Sequence, residues 1–224
     1  MSVLICFALK EEAAPFHKIM AARPGVFTII VGIGRQNAGK SLREFLAGRP
    51  GVPPELVLTC GFAGGLNPDL KLGDVVFEMP LTPSDGARVS VRTSEGLTAK
   101  LLAAGTQPAK FFCVDRIATT VAEKKKLRDE TGADAVEMES AAVHAVCAER
   151  GIPCVTVRVI SDTANEDLPL DFNALAKPDK NLDFGKLAWA IAKSPGKIGA
   201  LLELQKKTKF AAEQLAKVLA KICW

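Results

Sequence analysis

Histidine is nearly missing from this chain: His17 and His144 are the only two in 224 residues. Neither has thiol or acidic neighbours at zinc-ligand spacing, which argues against metal chemistry. The six cysteines, Cys6, Cys60, Cys113, Cys147, Cys154 and Cys223, include no CxxC pair. Several lie in apolar, strand-like runs, and buried reduced thiols are expected rather than disulfides. No apolar run approaches the roughly 20 residues needed to cross a bilayer. The opening MSVLICFALKEE lacks the basic flank and small-residue cleavage site of a signal peptide, so a cytoplasmic location is expected. Internal repeats and low-complexity linkers are also absent, and residues 1–224 read as a single domain.

What is present is ordinary for a globular protein: 48% hydrophobic and 24% charged residues. The net charge of +4 is unevenly spread. Residues 193–224 carry seven lysines against Glu203 and Glu213, a balance of +5 that leaves about −1 on the first 192 residues. A basic tail with few interleaved aromatics is a poor nucleic-acid surface, and no nucleic-acid partner is expected.

Short runs rich in Val, Ile, Leu, Cys and Phe at 2–9, 26–33, 55–62, 73–79, 110–114 and 153–160 read as buried strands. Helical patterns cover 11–21, 36–48, 121–131 and 138–150. This alternation predicts an α/β layered fold with a largely parallel sheet. Thr120 and Glu123 have capping-box spacing and should start a helix that ends before Gly132. The stretch 80–96, with Pro80, Pro83, Gly86 and Gly96, reads as a loop or an edge hairpin. Ser194-Pro195 reads as an N-cap followed by proline at the first helical position. It should open one amphipathic basic helix over 195–222, either continuous or broken near Thr208, with either core packing or membrane contact for its apolar face.

Four segments can carry chemistry. Leu9-Lys10-Glu11-Glu12 ends the first strand, where α/β sheets place ligands, although acids there also suit a helix N-terminus. Gly32-Ile33-Gly34-Arg35-Gln36-Asn37 is a glycine turn between strand and helix. Residues Gly34 to Ser41 match the spacing of a phosphate-binding loop, but no apolar strand ending in aspartate follows suitably, so nucleoside triphosphate use is not expected. Cys60-Gly61-Phe62-Ala63-Gly64-Gly65-Leu66, followed by Gly73-Asp74-Val75-Val76, exposes backbone amides at a strand end. Finally, Val136-Glu137-Met138-Glu139-Ser140 is joined by Arg158-Val-Ile-Ser161-Asp162. Glu137 and Glu139 do not share a helix face, so one can point inward while the other is solvated. Asp162 would be costly to bury unless paired or protonated.

In this order, ALKEEA, GIGRQNA, CGFAGGL with GDVV, VEMES and RVISDTAN resemble the motifs of the nucleoside phosphorylase superfamily. They are most similar to its hydrolytic branch of methylthioadenosine/S-adenosylhomocysteine nucleosidases, over about residues 1–173. The resemblance implies a three-layer α/β/α sandwich around a twisted, mixed central sheet, no cofactor, and a homodimer acting on a small-molecule purine nucleoside. It implies Glu12 as the base that activates water and Asp162 as the acid at purine N7, oriented by Ser161. Glu139 would hold the ribose hydroxyls above Met138. Phe172 and Ile117 or Ala118 would line the base site, with Glu137, Phe62, Ala63 and Gly64 around the pocket. Asp162 should be kept protonated by an apolar strand end, while Glu12 stays ionised.

Two departures qualify that picture. Phe62 stands where the family commonly has serine, and the two arginines that phosphorylases use for phosphate have no counterpart. Water is therefore expected as nucleophile, with phosphate as the alternative if Arg35 or a partner subunit supplies charge. The short 80–110 region and lysine-rich tail resemble the hopanoid-associated phosphorylase subgroup, implying a pocket open to a bulky apolar 5′ group. A nucleoside-binding protein without turnover is the remaining alternative.

Overall fold

The computed structural model describes residues 2–20, 23–48, 53–78, 91–175 and 195–223. Its strands are β1 (Val3–Phe7), β2 (Val26–Ile30), β3 (Leu56–Gly65), β4 (Val75–Glu78), β5 (Gln107–Pro108), β6 (Phe111–Cys113), β7 (Ala135–Glu137) and β8 (Cys154–Asp162). They form one sheet in the order β2-β1-β3-β8-β4-β5, with β7 hydrogen-bonded to the end of β3 and β6 to β7. The β2-β1-β3-β8 block is parallel, whereas β4 runs antiparallel to β8 and β7 antiparallel to β3. The sheet is therefore mixed, as expected.

Helices α1 (Lys10–Ile19), α2 (Arg35–Ala47), α3 (Val91–Ala103), α4 (Val121–Thr131), α5 (Ser140–Glu149), α6 (Phe172–Leu175) and α7 (Ile198–Ile222) surround it. The two-residue period of β1 divides the core between two faces. Val3, Ile5 and Phe7 pack with Phe16 of α1, Leu101 of α3 and Leu215 and Leu219 of α7. Leu4 and Cys6 pack with Ala38 and Leu42 of α2 and Val143 and Val146 of α5. This gives an α/β/α sandwich, with all six cysteines free thiols.

Two expectations need correction, and one open alternative is decided. Residues 91–96 are helical, not loop or hairpin: Leu97, Leu101 and Ala104 recur at helical spacing on a buried face, which outweighs the roughly 1 kcal/mol cost of Gly96. The rest of that stretch, through residue 90, lies outside the described residues. The tail helix is unbroken at Thr208, whose hydroxyl donates to the Gln205 carbonyl within the same helix at 3.1 Å. The tail helix also starts later than expected: Pro195–Lys197 form a 3-10 turn, and the α-helix begins at Ile198. Ser194 is outside the described residues. In α7, Ala211, Leu215, Val218, Leu219 and Ile222 are buried, while Ile198, Leu202 and Phe210 are exposed. Among the described residues no helix is long and apolar enough to cross a membrane.

The capping box of α4 forms as the spacing predicts. Thr120 Oγ1 accepts from the Glu123 amide at 3.2 Å, Glu123 Oε2 accepts from the Thr120 amide at 3.3 Å, and Gly132 ends the helix in the left-handed region.

Candidate active site

The carboxyl ends of β1, β3 and β8 meet β7 and the first turn of α1. Glu12 is the third residue of α1, and its Oε2 reaches back to accept from the Leu9 amide at 2.9 Å, a helix-capping bond. Its Oε1 crosses to β3 and accepts from the Phe62 amide at 2.9 Å. Capping and site-facing roles thus coexist in one side chain. Burial pushes the Glu12 carboxyl up from 4.5 to about 7, against the opposing pull of Arg158 and the Phe62 N–H. A carboxyl poised near neutrality matches what a general base requires.

This crossing depends on Gly61. Its φ of +153° is unusual for a side-chain-bearing residue, and a Cβ there would stand 2.6 Å from Glu12 Oε1 and 2.8 Å from Arg158 Nη1. Gly61 pairs in register with Arg158 on β8, so removing the side chain lets the carboxylate and the guanidinium meet beside the strand.

Arg158 is the hub that the sequence reading did not assign. It is 1% exposed, in the middle of an apolar strand, and a charge buried there must be paired. Nη2 donates to Glu137 Oε2 at 2.6 Å and to Thr59 Oγ1 at 3.3 Å, and Nη1 lies 3.2 Å from Glu139 Oε2. Burial opposes its charge, yet the carboxylates of Glu137, Glu139 and Glu12 hold the proton more firmly than in a free arginine.

Glu137 and Glu139 are both buried, so neither is solvated. Glu137 ends β7 and Glu139 precedes α5, so the chain turns between them and both carboxylates reach Arg158. Glu137 accepts from the Glu139 amide at 2.9 Å, the Ser140 amide at 2.8 Å and the Ser140 hydroxyl at 2.5 Å. Burial raises its pKa, but Arg158 and these donors outweigh burial and hold it below the usual range. With its oxygens so occupied, Glu137 braces Arg158 and the turn. Glu139 Oε1 accepts from the Gly34 amide at 2.9 Å, and burial raises its carboxyl despite Arg158. The glycine turn at 32–34, φ +82° and +86° at its two glycines, therefore presents its amide to a carboxylate. Arg35, next along, donates to the Cys113 carbonyl and lies 3.5 Å from Asp115.

Asp162 ends β8 and lies beside Gly64, two to three residues beyond Gly61 and Phe62 on β3; the Cβ position of Gly64 is 3.3 Å from Asp162 Oδ1. That step corresponds to roughly 7–10 Å along a strand. The β3–β8 register shifts here, from Ala63 opposite Ile160 to Gly64 opposite Asp162, leaving Ser161 as an extra residue. Such a bulge re-aims neighbouring side chains. Ser161 Oγ is 2.8 Å from Asp162 Oδ2 and 3.3 Å from the Ala63 carbonyl. The apolar setting expected for Asp162 is not found: Lys124 Nζ of α4 lies 2.5 Å from Oδ1.

Asn173 joins two further expected residues. Its Oδ1 accepts from the Ile117 amide at 2.8 Å and its Nδ2 donates to the Ile117 carbonyl at 2.9 Å, tying the 115–119 segment to the start of α6, where Phe172 stands. Ala118 is buried, whereas Ile117 and Phe172 are half-buried, as is Met138 between the two glutamates. Phe62 packs toward the α1 and α7 layer and lines a groove of about 700 Å³ with Pro15, Ile19, Thr208 and Ala212. The residues that sequence reasoning left out are Arg158 as a hub, Lys124 and Asn173. Among the described residues no cluster of His, Cys, Asp and Glu could hold a metal ion.

The model of the phosphorylase superfamily matches residues 86–193. The aminodeoxyfutalosine nucleosidase of Campylobacter jejuni is 30% identical over 139 residues, 53% of this chain and 61% of that protein. A 5′-methylthioadenosine/S-adenosylhomocysteine nucleosidase of Marinomonas sp. is 31% identical over 168 residues, covering 65% of this chain and 71% of the relative. The chain spans about three fifths of the length of the first curated relatives it matches, 60–62%. The futalosine hydrolase structure of Helicobacter pylori superposes with a TM-score of 0.66 at 20% identity, over 100% of this chain and 97% of that one, and shares the fold. With motifs, sheet and relatives in agreement, the chain belongs to the phosphorylase superfamily.

Proposed function

We propose that this protein is a nucleosidase that hydrolyses the N-glycosidic bond of a purine, 5′-substituted adenosine-like nucleoside. The observation that carries the reading is the pair of carboxyls beside the end of β3, in separate environments: Glu12, raised to about 7, at the Phe62 amide, and Asp162, its Oδ1 held by Lys124, at Gly64. Relatives named aminodeoxyfutalosine nucleosidase and methylthioadenosine/S-adenosylhomocysteine nucleosidase support it.

In this mechanism Glu12 accepts a proton from water as the water oxygen bonds to C1′. The C1′–N9 bond breaks with its electron pair going to the purine, and Asp162 gives a proton to N7. Glu139 holds the ribose hydroxyls, and Met138 packs under the sugar. Ile117, Ala118 and Phe172 line the base. Ala63 and Gly64 border the cleft. The carboxylates stabilise the positive charge that builds on the ribose in the transition state.

Water is favoured over phosphate because the nearby cations are committed: Arg158 faces glutamates, and Arg35 faces Cys113 and Asp115. The decisive assay incubates purine nucleosides with and without phosphate and identifies the sugar product. Free sugar in phosphate-free buffer is expected. Strict phosphate dependence with release of a sugar 1-phosphate would overturn hydrolysis. Binding of adenine nucleosides without turnover, unchanged by Asp162→Asn, would instead identify a non-catalytic binder.

The groove beside Phe62 favours a lipophilic 5′ substituent, since Ala14, Pro15 and Ile19 of α1 and Ala212 of α7 line it together with lysines and with Glu11 and Glu213. Rapid turnover of methylthioadenosine with no cleavage of lipophilic 5′-substituted adenosines would sink that refinement. A cytoplasmic homodimer completes the reading, on resemblance alone.

A further inference from the structure

We propose that Lys124 is a positioning residue for proton transfer at Asp162, fixing Oδ1, confining the transferable proton to Oδ2, and stabilising the carboxylate left after the base departs. This deepens the nucleosidase reading and rests on it.

Lys124 occupies the inward stripe of α4 and is fully buried. Its three N–H groups are all engaged: by the Thr163 carbonyl at 2.7 Å, the Glu166 carbonyl at 3.0 Å and Asp162 Oδ1 at 2.5 Å. A lysine buried this deeply carries a desolvation cost that an apolar side chain at the same place would avoid. An ammonium has no lone pair, so Oδ1 must remain an acceptor and cannot carry the proton. The proton therefore resides on Oδ2, the oxygen beside Ser161.

Ser161 has one hydroxyl hydrogen and two acceptors in reach, Asp162 Oδ2 at 2.8 Å and the Ala63 carbonyl at 3.3 Å. With Asp162 protonated, the serine can turn its hydrogen to Ala63 and accept from Oδ2. With Asp162 ionised, the serine can donate to Oδ2. Both states are satisfied by rotating one hydroxyl, so the proton moves from Oδ2 to purine N7 without displacing heavy atoms. Lys124 keeps all its protons throughout.

The test compares two substrates in Lys124→Met: methylthioadenosine, whose base leaves with a proton, and 4-nitrophenyl β-D-ribofuranoside, whose 4-nitrophenolate leaves without one. A drop of about 10²-fold in kcat is expected for the first and less than about 5-fold for the second, the scale of general-acid assistance. Lys124→Gln, which keeps an N–H donor, should show the same split and serves if the methionine variant does not fold. On methylthioadenosine alone, Lys124→Met should cost no further activity in an Asp162→Asn background. Equal losses on both substrates, or a full further loss beyond Asp162→Asn, would reduce Lys124 to a structural tie and overturn the proposal. Wild-type enzyme inactive on both substrates would instead refute the nucleosidase reading, and this role with it.

Discussion

Replacing Glu12 with glutamine separates the site's chemistry from its stability. The folded protein holds the Glu12 carboxyl at about 7 where a free glutamate titrates at 4.5. Because the folded value is raised, the favourable contribution of the neutral carboxyl is fully present below pH 4.5 and is lost as pH rises through 7. At about 1.4 kcal/mol per pH unit the loss is about 3 kcal/mol by pH 8. Glutamine never ionises and escapes that loss. It has only one acceptor, however, so one of the Leu9 and Phe62 amides would face an NH2 group, at a pH-independent cost of about 1–3 kcal/mol. Glu12→Gln should therefore be less stable than wild type at pH 5 and equal or more stable at pH 8. At roughly 2–4 °C per kcal/mol the melting-temperature difference should swing by about 6–12 °C. Urea and thermal melts of both proteins across pH 5–8 measure it, and activity at pH 8 should fall about 10²–10⁴-fold. A stability difference constant with pH would refute the buried, neutralised state of Glu12. Undiminished hydrolysis would refute its role as base.

Other substitutions probe the same cluster. Arg158→Met leaves Glu137 and Glu139 buried without their shared cation. A loss of about 3–5 kcal/mol is expected in melts at pH 8, and a change below about 1 kcal/mol would contradict the hub. Gly61→Ala forces a Cβ to within 2.6 Å of Glu12 Oε1 and 2.8 Å of Arg158 Nη1. Turnover should drop while the overall circular dichroism persists, and wild-type kcat would show that this close approach is not needed. Glu139→Gln keeps the bond from the Gly34 amide but removes charge from the sugar side, so KM should rise about 10–150-fold, the worth of a charged hydrogen bond, as read by steady-state kinetics. For wild type, kcat/KM should climb between pH 6 and 8 as Glu12 ionises around 7. A profile flat over that interval would place the base elsewhere.

Strands were legible wherever apolar runs were long enough to mark them, as in β1, β3 and β8. β5 and β7 have two and three residues and exist by pairing with neighbours, which no local pattern announces. Helix α3 was hidden by Gly96 and the prolines upstream, although its Leu97-Leu101 spacing was there to be read. At the site, motif order pointed to Glu12, Glu139 and Asp162, but their partners are tertiary. Arg158 did leave a signal, since an arginine inside VTVRVIS must find buried counter-charge. Lys124 left a fainter one: in Glu-Lys-Lys-Lys only that lysine shares an inward stripe with Val121 and Leu127. Nothing local could have told that Glu137 and Glu139 both turn inward, because that follows from the strand-to-helix turn between them.

These partners also bear on the choice of nucleophile. Around Arg158 three carboxyls share a single guanidinium, and the consequence appears in their proton affinities: Glu137, with the shortest contact at 2.6 Å, is held low, while Glu12 and Glu139 are raised by burial that Arg158 only partly offsets. The arginine is thus already outnumbered before any substrate arrives. A phosphate dianion entering beside Glu12 and Glu139 would meet further negative charge, and its cost in a buried site grows as the effective dielectric falls. A ribosyl cation meets the opposite situation, since its developing charge is what the surplus of carboxylate lacks. In the proposed hydrolysis water, being neutral, would enter without that penalty and leave its proton on Glu12. The surplus of carboxylate therefore selects against phosphate and for the cationic transition state, so replacing Glu139 should weaken that preference and lower the Glu12 carboxyl, whereas replacing Arg158 should raise that carboxyl further.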